Sequence, residues 1–134
     1  MCFIVNVTLV TYREPVAVSI WNTECTEFII YSTFIGGSNA DYGSSLALDS
    51  AGNPVVTGRT SSSNFPTTAG SYDTTHNGSS DVFVFKLNAA GDALLYSTFI
   101  GGSSVDKSYE LALDSADNAV VMGETYELSN FPTT

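Results

Sequence analysis

The sequence is poor in basic residues, in histidine and in cysteine. Its 134 residues hold only four Lys and Arg against 14 Asp and Glu, which gives a net charge of −10. Binding to nucleic-acid phosphates depends on clustered Lys and Arg, so this composition argues against a nucleic-acid partner. One histidine and two cysteines form no Cys/His cluster for zinc. We interpret Cys2 and Cys25 as unrelated small hydrophobic residues, with one disulfide between them as the alternative.

A long hydrophobic run is also absent. The apolar opening segment Met1–Val10 is about half the length that spans a bilayer, and it lacks a basic start and a small-residue cleavage site. We therefore expect no membrane span and a strand-like flank here.

Gln is absent, whereas Ser and Thr together number 33. Because hydroxyl, glycine, aromatic and β-branched residues outnumber strong helix formers, the composition predicts an all-β protein.

The chain repeats itself with a period of 65 residues. The run YSTFIGG occurs at Tyr31–Gly37 and again at Tyr96–Gly102. Aligning residues 31–60 with residues 96–125 gives 20 identities in 30 positions. The run NFPTT also recurs, at Asn64–Thr68 and at the end of the chain, with one inserted residue. Self-similarity at a fixed period is typical of repeat architectures, so each unit is one supersecondary structure.

One period contains four strand-like runs joined as two hairpins. The first hairpin is Ser45–Asp49 with Asn53–Thr60, and the second is Asp81–Leu87 with Ala93–Ile100. In the third run, Val82 and Val84 point to one face while the Phe residues and Leu87 point to the other, so both faces need cover. This pattern predicts four-stranded antiparallel blades of a partial β-propeller, with a β-solenoid of hairpins as the alternative.

The repeated runs resemble a known family. YSTFIGG, the LALDSAGN hairpin and the SNFPTT loop occur together and in order, as in the bacterial and archaeal SBBP (seven-bladed β-propeller) repeats. The resemblance covers about residues 16–134. It implies a part of a large secreted or cell-surface protein, and it implies no defined catalytic residues.

The period divides the chain into a flank and a repeat region. Residues 1–15 match nothing in the pattern, and residues 16–134 form the partial propeller. Within it we distinguish a worn half-blade at 16–37, a full repeat at 31–95 and a second partial repeat at 96–134. Two blade-equivalents cannot close a ring of roughly four to eight blades, so further blades of a longer chain or further copies are needed. We favour a piece of a longer chain, because the sequence stops inside the recurring SNFPTT loop.

No catalytic motif stands out. His76 is read as a solvated loop histidine, and Gly36-Gly37 and Gly101-Gly102 as sites of sharp chain reversal between blades rather than as an anion-binding nest. Repeated loop carboxylates could hold calcium, although Asp49 and Asp114 open turns where Asp caps backbone N–H groups. The calcium candidates are Asp41, Asp49, Asp106, Asp114 and Asp117.

The sequence therefore predicts a non-catalytic structural or ligand-binding module without a cofactor, unless calcium binds. It would present loops such as Ser61–Ser80 to a protein or glycan partner, outside the cell or on its surface. The alternative is a fragment of a carbohydrate-active propeller enzyme whose acidic loop residues meet at the mouth of a ring.

Overall fold

The computed structural model describes residues 3–6, 16–22, 28–126 and 130–133. Cys2 and Cys25 lie outside the described residues, and so does most of the N-terminal flank. The pairing of the two cysteines therefore stays a prediction. These described ranges contain nine strands: β1 Phe3–Asn6, β2 Val16–Asn22, β3 Phe28–Ile35, β4 Asp41–Leu48, β5 Pro54–Thr60, β6 Asp81–Leu87, β7 Leu94–Ile100, β8 Asp106–Leu113 and β9 Ala119–Thr125.

The strands form three antiparallel sheets in chain order. Strands β1-β2-β3 make the first, β4-β5-β6-β7 the second and β8-β9 the third. The all-β antiparallel fold expected from the composition is confirmed, and the four runs of one period form the four-stranded sheet. Its central pair joins Val56 of β5 to Phe85 of β6. The boundaries drawn from the period stay a prediction.

Both faces of the four-stranded sheet are covered by neighbouring sheets, as the apolar alternation predicted. Phe83, Phe85 and Leu87 lie in a core with Val16 and Ile35 of the first sheet. Val82 and Val84 lie in a second core with Leu111 and Val121 of hairpin β8–β9. Alternate side chains of one strand thus enter two different cores. Burial of both faces stabilises the stack by the hydrophobic effect, at about 25 cal/mol per Å² of apolar surface.

Strand β1 takes the position of a second strand in the first sheet. It pairs with β2 from Phe3↔Asn22 to Asn6↔Ser19, just as β5 pairs with β6. The strand-like flank expected at Met1–Val10 therefore contains a strand at Phe3–Asn6. The segment between β1 and β2 comprises only residues 7–15, whereas residues 61–80 connect β5 to β6.

The long 61–80 connection folds back onto its own sheet. Phe65 is buried and stacks on Phe83 with 4.5 Å between ring centroids. Thr68 N donates to Ser97 O at 3.1 Å, and Phe99 N donates to Asp73 O at 3.0 Å. These bonds occupy backbone groups along the outer side of β7, which would otherwise be an unpaired sheet edge. The NFPTT run therefore covers the edge of the four-stranded sheet through Thr68 and packs into the core of that sheet through Phe65.

Phe34 has a different environment from the residue one period later, Phe99. It is the period-equivalent of the fully buried Phe99, but its side chain is 67% exposed. Phe99 is covered by Phe65 from the 61–80 connection, with 6.2 Å between ring centroids. Among the described residues of the first sheet, no counterpart of Phe65 covers Phe34.

Replacing Phe65 with Ala should destabilise the protein by about 3–5 kcal/mol, because the change leaves a cavity among three aromatic rings. Urea unfolding followed by fluorescence measures the loss. Phe34→Ala is the matched control, since it removes the same atoms from an exposed position and should cost about 1 kcal/mol or less. Equal losses in the two variants would contradict the role given to Phe65.

Candidate functional site

The strand ends define two opposite ends of the sheet stack. We call the end with residues 36–40, 61–80 and 101–105 the loop end, and the end with the short turns at 49–53 and 114–118 the turn end. The calcium candidates are divided between them. Asp41 and Asp106 start strands at the loop end, whereas Asp49, Asp114 and Asp117 lie at the turn end. The five carboxylates therefore do not form one site.

Asp49 caps its own turn, as the sequence predicted. Its Oδ1 accepts hydrogen bonds from Ala51 N at 2.9 Å and from Asn53 N at 2.8 Å, and its Oδ2 accepts from Asn53 Nδ2 at 2.9 Å. The Oδ2 atom also forms an ion pair with Lys86 Nζ of β6. Burial raises the pKa of Asp49, but these bonds outweigh it and hold the pKa well below its usual range.

The turn after β8 has the same cap. Asp114 Oδ1 accepts from Ala116 N at 2.8 Å and from Asn118 N at 2.9 Å. Asp117 instead accepts from the neighbouring turn, where Ser50 Oγ donates at 2.5 Å and Ser50 N at 3.1 Å. Asp117 has a positive φ of 62° at the place where the first turn has Gly52. The turn-end carboxylates thus fix turns and connect adjacent sheets.

At the loop end, Asp41 binds the backbone of the preceding connection. Its Oδ2 accepts from Gly37 N at 2.8 Å and from Ser62 Oγ at 3.3 Å, and its Oδ1 accepts from Thr60 Oγ1 at 2.5 Å. The amide that the sequence offered as part of an anion nest is thus occupied by the chain's own carboxylate. Every oxygen of the Asp41 side chain has a partner.

Asp106 repeats only part of this arrangement. Its Oδ2 accepts from Gly102 N at 2.8 Å, but its Oδ1 is buried without a hydrogen-bond partner. A second fully buried carboxylate, Asp81 at the start of β6, is also part of the loop end. Sequence reasoning placed Asp81 on a strand and missed it as a site residue. The sequence contained a signal for this residue. Asp81 is a carboxylate at the start of a strand, whereas the equivalent position one period earlier is the apolar Val16.

One loop-end expectation needs correction. His76 is half-buried rather than solvated, because its ring packs edge-on against Phe99 at 5.8 Å and its Nε2 lies 3.3 Å from Thr60 O. Gly37 and Gly101 lie between sheets, as expected, and neither has a positive φ. The lack of space for a side chain also favours glycine here, since a Cβ atom on Gly101 would lie 2.6 Å from Asp81 Cγ.

Hairpin β8–β9 presents an exposed apolar strip on the side away from the four-stranded sheet. We call this strip the outer face and define it by Tyr109, Val120, Met122 and Tyr126. Val120 and Met122 are each 58% exposed, and Tyr126 is 64% exposed. Lys107 Nζ lies over the Tyr126 ring at 4.5 Å and bonds Glu124 Oε1 at 3.1 Å. An apolar strip with a polar border is typical of a surface that contacts another protein segment.

A cavity of about 300 Å³ lies between the hairpin and the four-stranded sheet. Val82 and Ile100 line it from the sheet, and Val121, Gly123 and Phe131 line it from the hairpin and the segment after it. Lys107 and Glu124 also line the cavity, but its surface is mostly apolar and open toward solvent, which suits a hydrophobic side chain more than a metal ion or a sugar.

A comparison with protein-family models matches residues 30–66 to the SBBP β-propeller repeat. The chain carries an SBBP repeat. The matched segment contains most of β3, all of β4 and β5, and Phe65 of the 61–80 connection. The resemblance to SBBP repeats is thereby confirmed for residues 30–66. No curated protein matched the chain.

The 65-residue period of the sequence relates the outer face to a buried surface of the four-stranded sheet. Val120 and Met122 are the equivalents of Val55 and Thr57 on β5, and both of those side chains are fully buried. Val55 is buried against Leu111 of the next hairpin. The cavity is explained in the same way, because Gly123 and Phe131 correspond to Gly58 and Phe65, which enclose Phe83 in the complete repeat.

The described residues contain no group of three or more His, Cys, Asp or Glu side chains arranged to hold a metal ion. Calcium binding stays a prediction. No helix within the described ranges is long and apolar enough to cross a lipid bilayer.

Asp49→Asn should destabilise the SBBP repeat by about 2–4 kcal/mol at neutral pH, because Lys86 loses its counter-charge in a mostly buried position. The lowered pKa means that the charged form of Asp49 stabilises the fold, so this contribution exists above about pH 4 and is lost as the pH falls further. Urea unfolding of both proteins across this pH range measures the difference, which should shrink in acid.

Asp114→Asn is the matched control for this experiment. It alters the same kind of turn cap, but the cap is exposed and no lysine pairs with it among the described residues. A smaller loss than in Asp49→Asn is expected. Equal losses would show that the ion pair with Lys86 contributes little.

Proposed function

We propose that this chain is a non-catalytic structural module that stacks with further SBBP repeats through the outer face of hairpin β8–β9. The observation that carries the proposal is the contrast between two equivalent surfaces. Val55 is fully buried by the next hairpin, whereas its equivalent Val120 is 58% exposed. The same residue types at the same strand positions favour the same kind of partner, which is another repeat hairpin.

The cavity beside Phe131 supports the same proposal. In the complete repeat, Phe65 and Gly58 enclose the ring of Phe83, which belongs to the third strand. Their equivalents Phe131 and Gly123 line an apolar cavity next to β9. A third strand pairing with β9 would bring a side chain to this cavity and would add backbone hydrogen bonds along the edge of β9.

The alternative, a fragment of a carbohydrate-active enzyme, has less support. Glycoside hydrolysis uses two carboxyl groups that flank the scissile bond and therefore must reach the sugar. The adjacent carboxylates at the loop end, Asp81 and Asp106, are both fully buried. A location outside the cell or on its surface is also part of the proposal, and it rests on the resemblance to SBBP repeats.

Extending the chain by one period tests the stacking function. A second copy of residues 61–125 placed directly after Thr125 would supply two strands beside β9 and one more hairpin over the outer face. We expect the melting temperature to rise by about 5 °C or more, because buried apolar surface is added. Differential scanning calorimetry measures the rise, and an unchanged melting temperature would contradict the proposal.

Met122→Glu makes this test specific for the outer face. In the given chain the substitution should change stability by about 0.5 kcal/mol or less, because Met122 is exposed there. In the extended chain it should remove most of the gain, because a charge would be buried without a partner. Ala89→Glu, in an exposed turn at the other hairpin, is the control and should have little effect in both chains.

Tyr72 favours a second candidate function, in which the 61–80 connection binds a protein or glycan partner. Its side chain is 73% exposed, while Phe65 and Asp73 on either side of it are fixed to the sheet. An exposed aromatic ring on a fixed loop is a common contact for partners. Tyr72→Ala should abolish binding found on a glycan array or in a protein pull-down, and Tyr109→Ala, on the hairpin, should leave it unchanged.

A further inference from the structure

Two fully buried carboxylates meet where the four-stranded sheet joins hairpin β8–β9. Asp81 starts β6 in the sheet, and Asp106 starts β8 in the hairpin. Each uses one oxygen to accept a backbone bond: Asp81 Oδ2 from Asn77 N at 2.7 Å, and Asp106 Oδ2 from Gly102 N at 2.8 Å. The other oxygen of each side chain is buried with no hydrogen-bond partner.

Gly101 places the two carboxylates next to each other. A Cβ atom on Gly101 would lie 2.7 Å from Asp81 Oδ1 and 3.0 Å from Asp106 Oδ2. The backbone around them is tightly joined, because Asp106 N donates to Ser80 O at 2.8 Å and Ser79 N donates to Ser104 O at 3.0 Å. A change in the charge of the pair therefore acts directly on the contact between sheet and hairpin.

Carboxylates and one histidine face this pair, and the nearby basic side chains are engaged elsewhere. Asp73 and His76 face Asp81 from the 61–80 connection, and Asp106 faces it from β8. Among the other described charges nearby, Lys107 is bound to Glu124 and Tyr126. The guanidinium of Arg59 on β5 lies over the ring of Tyr42.

Burial is the main cause that raises the pKa of Asp81, to about 6. The bond from Asn77 N and the charge of His76 lower the pKa, and the charges of Asp106 and Asp73 raise it. Two adjacent buried carboxylates cannot both ionise without a large cost in free energy.

We propose that Asp81 and Asp106 form a proton-dependent latch, in which a proton on the pair holds hairpin β8–β9 against the four-stranded sheet and its loss loosens that contact. Protonation leaves one charge at the junction and gives Asp81 a donor hydrogen. Deprotonation places two like charges on fully buried side chains. The latch goes beyond the proposed stacking function, because it concerns a junction inside the described chain.

The other junction of the chain supports this assignment. Between the first sheet and the four-stranded sheet, Asp41 takes the place of Asp106, and Val16 takes the place of Asp81. Both oxygens of Asp41 have hydrogen-bond partners. Of the two junctions, as far as their residues are described, the second carries the carboxylate pair, and this junction should respond to pH in this range.

The direction of the pH effect follows from the raised pKa. A group that binds its proton more tightly in the folded state stabilises that state at low pH. The contribution is complete below about pH 4 and is lost as the pH rises through about 6. Between about pH 4 and about pH 7.5, the equilibrium constant for opening of the hairpin should increase by about a hundredfold.

Hydrogen exchange followed by mass spectrometry tests the latch on the intact chain. After correction for the chemical exchange rate, peptides covering residues 104–125 should lose protection as the pH rises through about 6, while peptides from β4 and β5 should not. In the unmutated protein, carboxyl-carbon NMR should show one Asp titrating near pH 6. Protection that is independent of pH, or the absence of such a titration, would overturn the proposal.

Asp81→Asn assigns the effect to the pair. Asn has the shape of the protonated acid and a permanent donor, so the hairpin should stay protected at neutral pH and its pH dependence should disappear. Glu110→Gln is the matched control, because it removes an exposed carboxylate from the same hairpin and should leave the pH profile unchanged. A pH profile in Asp81→Asn equal to that of the unmutated protein would also overturn the latch.

Calcium provides the competing outcome. A divalent cation could neutralise two carboxylates in place of a proton. If millimolar CaCl₂ protects the hairpin at neutral pH in the unmutated protein but not in Asp81→Asn, and a chelator reverses this, the pair is a cation site and the proton latch is wrong. An unchanged profile with CaCl₂ supports the latch.

Discussion

Burial of both faces of the four-stranded sheet is the constraint on which the rest of the structure depends. Strand β6 sends Val82 and Val84 into one core and Phe83 and Phe85 into the other, so the sheet is stable only between two neighbours. This requirement sets the stacking of the three sheets. It also sets the character of the outer face, which has the residue types of a buried surface in an exposed position.

The carboxylates form different hydrogen bonds at the two ends of the stack. At the turn end, Asp49 and Asp114 cap hairpin turns, and Asp117 connects one turn to the next through Ser50. At the loop end, the carboxylates lie deeper and bind the backbone that leads from one sheet to the next. Within the described part of the chain, these carboxylates are therefore distributed over turns and junctions rather than gathered at one acidic site.

Much of the fold could be predicted from the sequence, because its signals are local and occur twice. Alternation in DVFVFKL and the DSAGN turn each specify a short-range structure, and the 65-residue period shows that this structure recurs. The loop-end site could not be predicted in the same way. The proximity of Asp81 and Asp106 depends on how two sheets meet, and the half-buried position of His76 depends on Phe99, far away in the sequence.

The sequence by itself determined the all-β class, the repeat, the hairpins and the turn-capping role of Asp49 and Asp114, since each depends on residues close together in the chain. Only the tertiary structure decided which repeated residues are equivalent in environment. Phe34 and Phe99 share one repeat position, yet one is exposed and the other is covered by Phe65. Asp41 and Asp106 likewise share a position, but only Asp106 faces a second carboxylate. The reason is physical: burial and charge are properties of what packs against a residue, and that partner comes from another part of the chain.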